Sequence, residues 1–189
     1  MICRSRERGE AACREIIAAT KNNRVQLVVA DLALQEDVRR AADEVKRLHP
    51  KIHVLINNAA VFLPKRELTP DGVEKTFATN YVSHFLLTHL LLDNVKAAAP
   101  SRIINVSTKT TGIKVLFDDL MLEKSFSTMS AVGQSKMGQI LFTQELAQKL
   151  LGTGVTVNAL HPGLVKTPLL DDVPKWMKFV FHIMSTTPE

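Results

Sequence analysis

The sequence predicts an α/β chain built as a doubly wound parallel sheet. Two observations carry this. Short apolar, β-branched runs alternate along the 189 residues with longer segments whose apolar residues recur at helical spacing. Strands buried on both faces of a parallel sheet read as continuous apolar runs, and the crossover joining two of them takes a helix.

Taken in order, "MIC" reads as the end of a strand, "RSRERGE" as the polar turn after it, and "EAACREIIAAT" as a helix. "RVQLVVADL" (24–32) is the second strand, and "EDVRRAADEVKRLHP" an amphipathic helix stopped by Pro50. "IHVLINNAA" is the third strand, followed by a long helical region, "TPDGVEKTFATNYVSHFLLTHLLLDNVKAAAP". "SRIINVST" is the fourth strand; a helix from about Ser130 to Leu151 leads to the last one, "VTVNALHPG" (155–163). Four or five such repeats with short connections make one domain with helices on both faces of the sheet.

Composition narrows the function classes. The chain is 46% apolar and 23% charged with a net charge of +5, yet Lys and Arg alternate with Asp and Glu along several helices instead of forming one basic stripe. That excludes nucleic acid as the expected partner. Cys3 and Cys13 lack zinc or disulfide spacing, so no metal site is expected and a reducing compartment is. No apolar run reaches the roughly 18 to 20 residues of a membrane span. "VPKWMKFVFHIM" (173–184) reads as a lid or core helix, with an interfacial helix as the alternative.

Ligands of doubly wound sheets sit outside the carboxyl ends of the strands. Those ends hold Cys3 and Arg4 with Arg6 and Arg8 beyond, then Asp31 and Leu32, then Asn57 to Ala60, then Ser107 and Thr108, and last His161, Pro162 and Gly163. Each group alone is also what a turn would use. The set, in this order, points to a site. On the last long helix, Val132 and Lys136 share one face four positions apart.

The segments "CRSRERGEAACREI", "ADLA", "VLINNAAVF", "NYVSHFLLTHLLL", "RIINVST", "SKMGQILFTQELAQKL" and "GVTVNALHPGLVKT" together resemble the short-chain dehydrogenase/reductase family, in its retinol dehydrogenase-like branch. The resemblance spans nearly the whole chain and implies one NADP-binding, Rossmann-like domain over residues 1–189. It implies that Arg4, with Arg8 beside it, pairs with the ribose 2′-phosphate, for which a guanidinium supplies a planar fork. Asp31 and Leu32 would lie at the adenine, Asn57, Ala59 and Ala60 along the ribose, and Pro162, Gly163, Val165 and Thr167 around the nicotinamide amide. The expected substrate is a small hydrophobic alcohol or its carbonyl. A homodimer and a cytoplasmic location, with peripheral attachment at the endoplasmic reticulum, are further implications of the resemblance.

Such enzymes work with Asn, Ser, Tyr and Lys. A phenol with a pKa near 10 is drawn toward the working pH by a neighbouring ammonium and exchanges its proton with the alcohol or carbonyl. Carried over by position, Asn80 matches the asparagine, Ser107 or Thr108 the hydroxyl and Lys136 the lysine, which also holds the nicotinamide ribose. The tyrosine position falls on Val132, which has no proton to give. Residues 1–189 also contain no TGxxxGIG turn, the element that holds a pyrophosphate on backbone N–H groups at a helix N-terminus. The family's first strand, turn and helix, and its last helix and strand, find no counterpart, so a partial chain with two facing unpaired strand edges is expected. The expectation is therefore an NADP(H)-dependent oxidoreductase impaired in this form, the alternative being a non-catalytic binding protein or a truncated product.

Overall fold

The computed structural model describes residues 1–109 and 112–163. Its order is β1 (Ile2–Cys3), α1 (Arg6–Thr20), β2 (Val28–Val29), α2 (Gln35–Leu48) and β3 (Val54–Asn57), then a long helical region, β4 (Ser101–Val106), α5 (Thr128–Lys149) and β5 (Val155–Leu160). The helical region starts with one α-turn, α3 (Lys75–Phe77), widens to a π-helix over Ala78–Val82, and continues as α4 (Ser83–Lys96).

Local chemistry explains the helix limits. Ser5 caps α1 by accepting from the N–H of Arg8 at 3.3 Å, and Lys21 closes it in the left-handed region at φ 58°. Glu36 and Asp37 stand in the first turn of α2 and Lys46 and Arg47 in its last, which suits the helix dipole. The start of α3 takes a carboxylate: Glu74, 1% exposed, accepts from the N–H groups of Thr76 and Phe77 at 3.0 and 2.8 Å.

All strand pairs are parallel, as expected, but among the described residues they form two sheets, β1–β2 and β3–β4–β5. The second strand shrinks from the expected 24–32 to Val28–Val29, because its only ladder partner, β1, is two residues long. The α2–α4 pair bridges the two sheets, with Val38, Ala42, Leu87 and Leu91 packing against Ile2, Ile52 and Leu55. A second cluster sets Phe142 and Leu146 of α5 on Ile103, Val155 and Val157. The opposite face of β3–β5 carries Val54 and Ile56, 45% and 58% exposed, with no described helix over it. The expectation of helices on both faces therefore holds, among the described residues, for one face of this sheet only.

An aromatic row runs from α3 through the π-helical turn into α4, facing α5. Tyr81 lies between Phe77 and Phe85, with ring centroids 5.1 and 6.2 Å away, and Phe85 meets Phe142 at a 57° tilt with centroids 5.1 Å apart. Gly138 of α5 lies flat against Tyr81, where an added Cβ would approach the ring to 3.1 Å. Because its neighbours pin that ring, Gly138→Ala should lower stability by about 1 kcal/mol despite alanine's helix preference, read as a reduced urea midpoint.

Candidate active site

The exits of β3 and β4 are tied to the helix layer by a buried polar ladder. Asn57 and Asn105 face each other in the register of the two strands. Asn57 donates to Thr88 Oγ1 at 2.9 Å and to Asn105 Oδ1 at 2.8 Å; Asn105 donates to Thr143 Oγ1 at 2.8 Å. The Asn57 side chain, 2% exposed, is thus turned into the interior with its amide nitrogen engaged, while its Oδ1 is buried without a partner.

Asn80 sits in the π-helical turn and is fully buried. Its Oδ1 accepts from Val61 N–H at 2.8 Å, while Nδ2 donates to Val61 O at 3.1 Å and Ser135 Oγ at 3.3 Å. This two-point clamp fixes the loop after Asn57, Ala59 and Ala60 included, against α5. A single π-turn within an α-helix often marks a functional position.

Lys136 lies one turn after the half-buried Val132 on α5. It is 6% exposed, and its Nζ donates to Val106 O at the end of β4 at 2.6 Å. Burial pushes its pKa down to about 8. Ser107 donates to the Lys136 carbonyl at 2.9 Å, so its proton serves the strand–helix junction. Thr108 is half-buried and makes no hydrogen bond among the described residues, which leaves it the available hydroxyl. The structure thus brings Lys136, Val132, Ser107 and Thr108 to the junction of β4 and α5, with Asn80 reaching α5 through Ser135 one residue before Lys136.

Behind Lys136 is a pair the sequence reading did not single out. His84 Nδ1 accepts from Gln139 Nε2 at 2.6 Å, and both residues are fully buried or nearly so. Burial, together with the nearby Lys136 charge, pushes His84 down to about 3. The available signal was positional: His84 follows Asn80 by four residues on one apolar helix, and Gln139 follows Lys136 by three on another. Tyr81, the lone tyrosine, lies in the aromatic row between the π-helical turn and α5, and burial raises its pKa.

At the first sheet, Arg4 Nη1 lies 4.0 Å from Asp31 Oδ2, with the Arg4 side chain 63% exposed. Asp31 Oδ1 accepts from Ala33 N–H at 2.9 Å, which holds Leu32 in a tight turn. Arg8 is exposed on the first turn of α1, near Arg4. Pro162 and Gly163 are exposed at the end of β5, Gly163 at φ 81°. Val165, Thr167 and the 173–184 segment lie outside the described residues.

The sequence profile of the short chain dehydrogenases matches residues 1–178. The chain belongs to the short-chain dehydrogenase family. Among short-chain dehydrogenases it falls with the retinol dehydrogenase-like branch. It is 44% identical to mouse retinol dehydrogenase 13 over 89% of this chain and 51% of that protein. It is 39% identical to human retinol dehydrogenase 11 over 100% of this chain and 60% of that protein. The chain therefore spans about half the length of the curated relatives it matches. Among solved structures, a Mycobacterium paratuberculosis protein described as uncharacterized aligns at 32% identity and TM-score 0.75, over 100% of this chain and 67% of that one. A Burkholderia cenocepacia short chain dehydrogenase in complex with NADP aligns at 27% identity and TM-score 0.70, over 89% and 64%. The fold is accordingly the Rossmann-like α/β fold of the short-chain dehydrogenases.

Proposed function

We propose that this chain carries the site of a retinol dehydrogenase-like, NADP(H)-dependent oxidoreductase acting between a hydrophobic alcohol and its aldehyde or ketone, with the proton donor replaced and turnover impaired. The carrying observation is the β4–α5 junction: a buried Lys136 ammonium fixed on Val106, an available Thr108 hydroxyl, and Val132 where the acid belongs. In this arrangement Thr108 would orient a substrate oxygen and Lys136 would place positive charge beside it. A positioned acid/base is worth about 10² to 10⁴ in rate, and valine supplies none of it.

The residues fit NADP at its two ends. Arg4 and Arg8 offer exposed guanidinium groups at the β1 exit, and Lys136 stands at the other end of the strand exits. Between them, no described glycine turn joins a strand exit to a helix N-terminus: the positive-φ glycines are Gly72, Gly112, Gly152, Gly154 and Gly163. The pyrophosphate thus lacks its usual donors among the described residues. Val132 equally supports a second reading, a binding protein that keeps the fold without the chemistry.

NADPH oxidation against a panel of hydrophobic aldehydes tests this. The chain as it stands should show turnover near background, and Val132→Tyr should raise it by about 10²-fold or more. Robust turnover with Val132 in place would refute the impaired-enzyme reading; no gain in Val132→Tyr, in a variant that binds NADPH, would favour the binding protein. A homodimer through α4 and α5 is proposed from Phe85 and Leu141, 41% and 45% exposed on that face. Sedimentation at micromolar concentration should show twice the monomer mass, and Phe85→Glu should abolish it.

A further inference from the structure

Lys136 is a primary amine held at a strand exit without an acidic partner. Its Nζ donates to the Val106 carbonyl at the end of β4, at 2.6 Å, and it makes no ion pair among the described residues. Val132, one turn earlier on the same face of α5, brings only methyl groups there. The titratable neighbour on α4 is His84, which is buried and uncharged down to about pH 3. Two residues past Val106 stands Thr108, half-buried, with a hydroxyl that makes no hydrogen bond among the described residues.

These surroundings change what the lysine does. Burial holds its pKa at about 8, so near pH 7 about a tenth of the amine is uncharged, against less than about a thousandth for an ordinary lysine. A lysine desolvated among apolar groups is an activated nucleophile toward carbonyls. The uncharged amine keeps one N–H on Val106, which holds the nitrogen in place and leaves its lone pair free. A phenol at position 132 would instead favour the ammonium and give its own proton to the carbonyl oxygen. With valine there, the reactive group beside a bound aldehyde is the amine.

We propose that Lys136 captures a hydrophobic aldehyde as an imine, so that the chain holds the carbonyl compound covalently and reversibly instead of reducing it. Capture rests on the same reading of the β4–α5 junction as a carbonyl site. The lone pair of Lys136 attacks the carbonyl carbon, the C–N bond forms, and the C=O π pair moves onto the oxygen, which accepts a hydrogen bond from Thr108. One amine proton passes to that oxygen. The second amine proton then leaves with the oxygen as water, and C=N remains. Nothing is oxidised or reduced, and water reverses the step.

The probe is decanal, equimolar with the whole chain at neutral pH, with cyanoborohydride as the hydride source that fixes the imine as a secondary amine. Peptide mass mapping should find one decyl group per chain, on Lys136, formed at least about tenfold faster than on the exposed Lys149. In guanidinium-unfolded chain that preference should vanish. Lys136→Arg, which keeps the charge without the nucleophile, should reduce total labelling to the surface background; should that variant misfold, the folded and unfolded maps of the unaltered chain still decide. Equal labelling of Lys136 and Lys149 in the folded chain, or none on Lys136, overturns capture. Decanol separates that failure from failure of the site: slowed amide exchange at Ser107 and Thr108 with decanol but no adduct sinks capture alone, and no effect of either compound sinks the carbonyl-site reading with it.

Discussion

Acidifying the protein from about pH 6.5 to about pH 4 is expected to remove about 3 kcal/mol of stability through His84 alone. An unfolded chain charges this histidine near its ordinary value of 6.5, while the folded imidazole stays neutral down to about 3. In that window the unfolded state binds the extra proton, so stability falls as the pH drops. The cause is burial first and the Lys136 charge second. Carboxylates titrate over the same range, so the measurement is a comparison: urea unfolding at both pH values for the unaltered chain and for His84→Gln. Glutamine has no ionisable group, and its acid loss should be smaller by the amount assigned to His84. An equal loss in both proteins would show that His84 is solvated or takes up its proton in the folded state.

Lys136→Met should make the protein more stable at neutral pH, by up to about 3 kcal/mol. In the folded chain the lysine titrates at about 8, against an ordinary 10.5, because burial disfavours its charge. Below pH 8 both states carry the proton and the folded one bears the full cost of a buried ammonium, which donates to the Val106 carbonyl and has no ion pair among the described residues. Between about 8 and 10.5 the unfolded state keeps a proton that the folded state releases, so the unaltered chain gains stability and the gap to Lys136→Met closes. Denaturation at about pH 7 and about pH 10 reads this directly. A methionine variant that is less stable at both values would mean that the bond to Val106 outweighs desolvation. A lysine kept at such a cost fits a residue retained for a ligand, a reading that applies whether or not turnover survives Val132.

The alternation of strands and helices, the strand exits and the face shared by Val132 and Lys136 were legible because they depend on local periodicity. Lys136 lies where the helical count puts it, one turn after Val132 at the β4 junction. The fate of Asn57 was not legible. Its partners Thr88 and Asn105 are 31 and 48 residues away, and no local pattern tells an asparagine facing a crevice from one facing a neighbouring strand. The choice between Ser107 and Thr108 was open for the same reason, since it turns on a bond from Ser107 to a carbonyl 29 residues distant. Glu74 reads as an ordinary charge in a polar turn, yet it is buried as the cap of α3. The two-residue length of β2 depends on how much ladder its partner offers, which lies beyond the reach of its own apolar run.

The wide turn at Ala78–Val82 makes the long helix a counting device. Residues before it present Thr76 and Phe77 to the interior, and residues after it present His84, Leu87 and Leu91. An α-helix advances about 100° per residue, so removing one residue from the widened turn would give a regular helix and swing everything beyond it by that angle. His84 would leave Gln139, and Leu87 and Leu91 would leave α2. Insertions and deletions in this stretch should consequently be far less tolerated than in the exposed turn around Asp71 and Gly72, even though neither stretch contains Lys136.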